Sequence, residues 1–177
     1  AGNNFTVNDT TLIFGTFADG TAAGTTNLQY VELNGGTING GQTGVINILG
    51  DLNIINGDGT IGRVTMTVSG TTTIGTGCTL MLNSNTGIKT FTDEVINNGT
   101  WVSTTVGTSL YLVFQNGISN NGASFTAGGC TFNANNQDIS GNTALSFASG
   151  VTIDGAVTVT NKIADGITIT GILNGNN

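Results

Sequence analysis

Ile96-Asn-Asn-Gly-Thr-Trp101 returns as Ile118-Ser-Asn-Asn-Gly-Ala-Ser-Phe125, with the leading isoleucines 22 residues apart. Counting down by 22 from Ile96 reaches Ile74 and then Leu52, and Phe125 and Phe147 are separated by the same step. A period near 22 is short for a β-sandwich and suits one coil of a β-solenoid. In such a coil each strand lies parallel to its equivalent in the next, about 4.8 Å along the axis. Leu52, Ile74, Ile96, Ile118, Phe125 and Phe147 are therefore the candidates for stacked core positions. The repeat is weaker over residues 1 to 60.

The rest of the chain supports a parallel β-helix. Short alternating runs recur, among them Val64-Thr-Met-Thr-Val68, Ile88-Lys-Thr-Phe-Thr92, Leu110-Tyr-Leu-Val-Phe114 and Ile167-Thr-Ile-Thr170. Breaks of two to five residues such as Asn97-Asn-Gly99, Asn120-Asn-Gly122 and Asp154-Gly155 separate them. The 177 residues include 29 Gly, 32 Thr and 24 Asn, but no proline and no histidine. Branched β-carbons favour strands, and Gly and Asn accept the positive φ of turns. The expectation is a single all-β domain, or a segment of a longer repetitive chain, spanning residues 1–177. The competing reading is a β-sandwich, including a pilin-like domain that exchanges a strand with its neighbour, because Asn-Gly is also a strong hairpin signal.

Charge narrows the function. Three Lys and Arg against ten Asp and Glu give −7, too little positive charge to neutralise a nucleic-acid backbone. No apolar run reaches the roughly 18–20 residues of a membrane helix. With no imidazole, most acid–base and metal chemistry lacks its usual side chain.

The chain resembles the long repetitive surface proteins of gliding bacteria exported by the type IX secretion system. The matching stretches, in the order that family shows, begin with Val68-Ser-Gly-Thr-Thr-Thr-Ile-Gly-Thr-Gly-Cys-Thr-Leu-Met-Leu82 and Gly87-Ile-Lys-Thr-Phe91. Val95-Ile-Asn-Asn-Gly-Thr-Trp101 and Phe125-Thr-Ala-Gly-Gly-Cys-Thr-Phe-Asn133 follow. The likeness covers residues 60 to 175 and rests on low-complexity motifs. It implies an extracellular, cell-surface β-helical stalk, adhesin or filament, and it offers no catalytic residues to carry over.

Individual side chains point mostly to structure. Asp19-Gly20, Asp58-Gly59, Asp154-Gly155 and Asp165-Gly166 are turn dipeptides that need no calcium. Asp93 and Glu94, read as strand neighbours, would face opposite ways and could not act as one acid–base pair. Arg63, Lys89 and Lys162, the only basic side chains, read as solvated surface charges. Cys78 and Cys130 lie more than two coils apart, beyond bridging reach, and read as buried thiols. Asn4, Asn8 and Asn98 head glycosylation sequons. Thr-x-Thr pairs such as Thr65/Thr67 and Thr90/Thr92 suggest an ice-binding face, but a constant step of 22 from Thr92 reaches Phe114 and Asn136 and breaks the ladder.

The resulting expectation is a structural protein without catalytic activity, metal or cofactor: a subunit or segment of an extracellular filament or surface adhesin. The alternation begins near Thr6 and runs to Leu173 with no evident cap. Exposed edges of that kind call for more coils of the same chain or for end-to-end self-association. An ice-binding or carbohydrate-binding β-helix, with surface glycans as partners, is the second expectation.

Overall fold

A computed structural model describes residues 4–19, 23–40, 44–84, 86–103 and 111–175. Every strand pairing among them is parallel, and the chain winds as a β-solenoid of about seven turns with coils about 21 residues apart. The antiparallel sandwich is thereby excluded.

One coil shows the construction. Thr65–Val68, Thr72–Ile74 and Thr79–Leu82 form three short strands, each on its own face of the solenoid. Inward and outward residues alternate along each: Met66 and Val68, Thr72 and Ile74, Leu80 and Leu82 are buried. Two early strands, Phe5–Ile13 and Thr25–Leu33, run across the first and second faces without a break, which joins those faces into one 15-stranded sheet. From Val45 onward the strand splits in two, as in Val45–Ile48 and Leu52–Ile54. The third face is a separate sheet of eight strands.

The interior is built from columns of residues in register. Val68, Phe91, Phe114 and Phe132 stack beneath the first face. Phe91–Phe114 and Phe114–Phe132 are each stacked with ring centroids 5.6 Å apart. On the third face Leu80, Trp101, Phe125 and Leu145 follow one another, with Trp101 and Phe125 stacked at 5.0 Å. The two aromatic columns meet in the middle, where Phe91 and Trp101 touch edge to face. Each such ring buries more apolar area than one aliphatic side chain.

The step between coils is not constant. Paired residues are separated by as few as 18 positions, Leu112 to Cys130, and by as many as 24, Trp101 to Phe125. The fixed 22-residue step therefore misplaces one candidate core residue. Asn97 pairs with Asn120, a step of 23, so Val95 lies over Ile118 and Ile96 lies over Ser119. Ile96 faces outward and is half-buried, whereas Leu52, Ile74, Ile118, Phe125 and Phe147 are in the core. They do not form one column: Leu52 aligns with Thr72, Val95 and Ile118, and Ile74 belongs to the neighbouring column with Ile54 and Asn97.

The Asn-Asn-Gly motif sets this register. Asn97 Nδ2 donates to Asn120 Oδ1 at 2.7 Å and to the Ser124 carbonyl at 2.9 Å, and Asn97 Oδ1 accepts the Gly99 amide at 3.2 Å. Asn120 Nδ2 donates onward to the Thr143 and Ala144 carbonyls at 2.9 and 3.1 Å. Both amides are fully buried and have their polar atoms engaged. The glycine that follows is required sterically: a Cβ on Gly99 would meet the Cys78 and Gly75 carbonyl oxygens, and one on Gly122 would meet Gly99.

Two substitutions test this core in opposite directions. Asn97→Leu strands the Gly99 amide and Asn120 Oδ1 and should lower unfolding stability by about 1–3 kcal/mol in urea titrations. Thr72 is fully buried and its hydroxyl has no partner. Thr72→Val keeps the shape, removes the hydroxyl and should raise stability by about 1 kcal/mol.

Candidate functional site

The residues singled out as chemical candidates are dispersed, and several, Asp58 and Asp93 among them, bridge one coil to the next. Asp93 and Glu94 lie at the turn before the strand Val95–Asn97 and not within a strand. Asp93 accepts hydrogen bonds from Asn116 Nδ2 at 2.7 Å and from the Glu94 amide at 2.8 Å, with the Thr71 hydroxyl at 3.4 Å. These donors, led by Asn116, hold its carboxyl below the ordinary carboxylate value. A carboxylate so committed is a coil-to-coil fastener.

The same use recurs at other turns. Asp58 Oδ1 accepts the Thr79 amide at 2.7 Å, Asp51 Oδ1 the Thr71 amide at 3.0 Å, and Asn136 Oδ1 the Thr158 amide at 2.8 Å. Each bridges one coil to the next. Gly155 and Gly166 have positive φ, as their Asp-Gly turns require. The Asp19-Gly20 turn lies outside the described residues. Among the described residues no group of three or more His, Cys, Asp or Glu side chains is placed to hold a metal ion.

Lys89 corrects the sequence reading. It is not a surface charge: it sits in an inward column between Met66 and Leu112, 1 % exposed. Its Nζ donates to the Thr86 and Gly87 carbonyls at 2.7 and 2.8 Å, with the Ser84 carbonyl at 3.4 Å. The ammonium thus gathers the carbonyls of the preceding turn. Burial lowers its pKa to about 8. Arg63 is exposed, as the sequence reading has it, and Lys162 pairs with Asp138 at 2.6 Å on the surface.

The remaining candidates are quickly placed. Cys78 and Cys130 are both buried and free. Trp101 is in the core, against Phe125. Asn4 and Asn8 are exposed and Asn98 is half-buried beside its register-setting neighbour.

The outer faces are more distinctive than any pocket. On the first face, the outward residues Thr67, Thr90, Val113, Thr131 and Thr152 are paired in register over five successive coils. A constant step of 22 misses this column, because its steps are 23, 23, 18 and 21. Aligning the inward Phe91, Phe114 and Phe132 would have revealed it. The column carries no charge. Glu32, Asp138 and Lys162 stand on the second face, Asp9 at the bulge of the strand Phe5–Ile13, and Asp51, Asp58, Asp93, Glu94, Asp154 and Asp165 at turns.

At the C-terminal end of the described residues the core is open. A cavity of about 240 Å³ is lined by Phe132, Phe147, Val151, Ile153, Ile167 and Leu173, among others. Ile172 and Leu173 are 71 % and 56 % exposed. No helix among the described residues is long and apolar enough to cross a membrane. The chain matches no protein-family model, no curated protein and no solved structure.

Two buried groups, Lys89 and Cys130, give the fold a pH signature. Unfolding returns Lys89 to 10.5, so above about pH 8 the unfolded chain holds more protons and stability rises with pH. Cys130 acts oppositely: burial pushes its thiol above the ordinary 9.0, so above pH 9 the unfolded chain ionises first and stability falls. The urea midpoint should therefore climb between pH 8 and 9, and Lys89→Met should flatten that climb. A variant with the wild-type profile would show that Lys89 is not its source.

Proposed function

We propose that this chain is a structural element, a subunit or segment of an extracellular filament or surface adhesin, and that its work is mechanical. The observation carrying the proposal is the in-register stacking of coils that leaves an apolar core open at the C-terminal end. A hydrophobic cross-section of this kind, with unpaired parallel strand edges around it, is complementary to another coil. That coil can come from the same polypeptide or from a second copy in axial register. A head-to-tail contact between copies does not close on itself, so it extends as a fibre.

Other features agree with this role. Asp58, Asp93 and Asn97 use their side chains to join coils. At about 4.8 Å per coil, seven steps make a segment of about 34 Å, and length accrues by adding coils. An extracellular location, as the resemblance to type IX-exported surface proteins implies, would leave Asn4 and Asn8 accessible to glycan attachment.

Concentrated protein should form axial assemblies, visible by electron microscopy, with a meridional reflection near 4.8 Å. Replacing Ile172 and Leu173 together by lysine charges the open end and should abolish assembly while leaving the circular dichroism of the coils intact. Wild-type protein that sediments as a monomer at every concentration, with no such reflection, defeats the stacking form of the proposal.

A further inference from the structure

We propose that the first face is an ice-binding surface, centred on the column Thr67, Thr90, Val113, Thr131 and Thr152. Four of these five positions are threonine and the fifth is valine, which has the same shape with a methyl in place of the hydroxyl. Successive members repeat at about 4.8 Å along the axis, and outward residues on one strand stand about 6.6 Å apart. The axial separation lies near a repeat distance between equivalent water oxygens in ice. Thr65 and Thr92 flank the column on their own coils, where the next coil carries Ile88 and Gln115 in register with them.

The array is rigid for a reason visible beneath it. Phe91, Phe114 and Phe132 are stacked directly behind Thr90, Val113 and Thr131. β-Branched side chains on paired strands also have few rotamers to lose. Little ordering therefore opposes binding, and many weak contacts on one repeat act together. Each hydroxyl offers a hydrogen bond to one water, and each methyl orders the water between hydroxyls without competing for it.

The chemistry of the face selects ice over other repetitive ligands. No charged group stands in the column, which disfavours minerals and ionic polymers. Flat glycan sites stack sugar rings on aromatic platforms, whereas the aromatic residues Phe91, Phe114 and Phe132 of these strands point inward. Tyr111, beside Leu112 at the edge of the face, is a single ring and no platform. Glu32 and Asp138, with Lys162, stand on the second face, and Asp9 lies at the bulge of the strand Phe5–Ile13, outside the column.

The test is thermal hysteresis, together with inhibition of ice recrystallisation, on the 177-residue chain. Wild-type protein should shape ice crystals and hold a freezing-point gap. Thr90→Lys and Thr131→Lys should each reduce that gap at least about fivefold, because one projecting charge interrupts a multivalent contact. Ser119→Lys on the second face should leave it unchanged. Should a lysine variant unfold, Thr131→Val removes only the hydroxyl and should still weaken activity, while Val113→Thr completes the ladder and should strengthen it. Absence of hysteresis in wild-type protein, or full activity in the folded Thr90→Lys variant, overturns the proposal. Retention on insoluble chitin or cellulose without any effect on ice overturns it in favour of a glycan surface. The measurement uses unassembled chains, so it stands or falls separately from axial stacking.

Discussion

Parallel backbone pairing between coils is the constraint from which the rest follows. It fixes which residue lies above which, and it places inward side chains about 4.8 Å apart in columns. A column must then accept its own members as neighbours. Flat rings satisfy this by stacking, as Phe91, Phe114 and Phe132 do. Asparagine satisfies it by donating to the next asparagine, as Asn97 does to Asn120. Glycine satisfies it where backbone passes directly over backbone, as at Gly99 and Gly122. Composition and architecture are two descriptions of this one requirement.

The fold was legible because strands and echoes survive any small error in period. The register was not, because turn lengths vary while strands stay short. Matching Ile96 to Ile118 honoured the hydrophobic residues and missed by one position; matching Asn97 to Asn120 honours the hydrogen bond and is what the chain does. In a strand a shift of one residue exchanges inside for outside. That is why Ile96 is outward and why the threonine ladder stayed hidden. Lys89 was recoverable from parity alone, since it shares a face with Phe91 two residues on. The general rule that lysines are solvated fails at this position. Its buried ammonium is tolerable because the Thr86 and Gly87 carbonyls receive it.

The turns and the faces divide the labour. Turns carry most of the carboxylates, the amide fasteners and the variation in length, from steps of 18 to 24 residues. The first face carries a column of neutral β-branched residues, Thr67, Thr90, Val113, Thr131 and Thr152, held at a constant axial repeat. Charge at turns keeps the surface wet without interrupting the flat parts. A ligand with no periodicity would find little to hold on such a face, while one that repeats along the axis meets the same group on every coil.

This links the two proposed roles through length. A rod that grows by adding coils also lengthens any column it presents, and the avidity of a repetitive surface rises with the number of contacts made at once. Stacking would extend the first-face ladder only if the joint preserved register, since a slip of one residue would present a core position in its place. The open apolar end supplies affinity for another coil but no register by itself. In the interior that function belongs to polar ladders such as Asn97 with Asn120. A joint built on apolar contact alone would make a longer rod with a broken face, so mechanical extension and an extended binding surface need not come together.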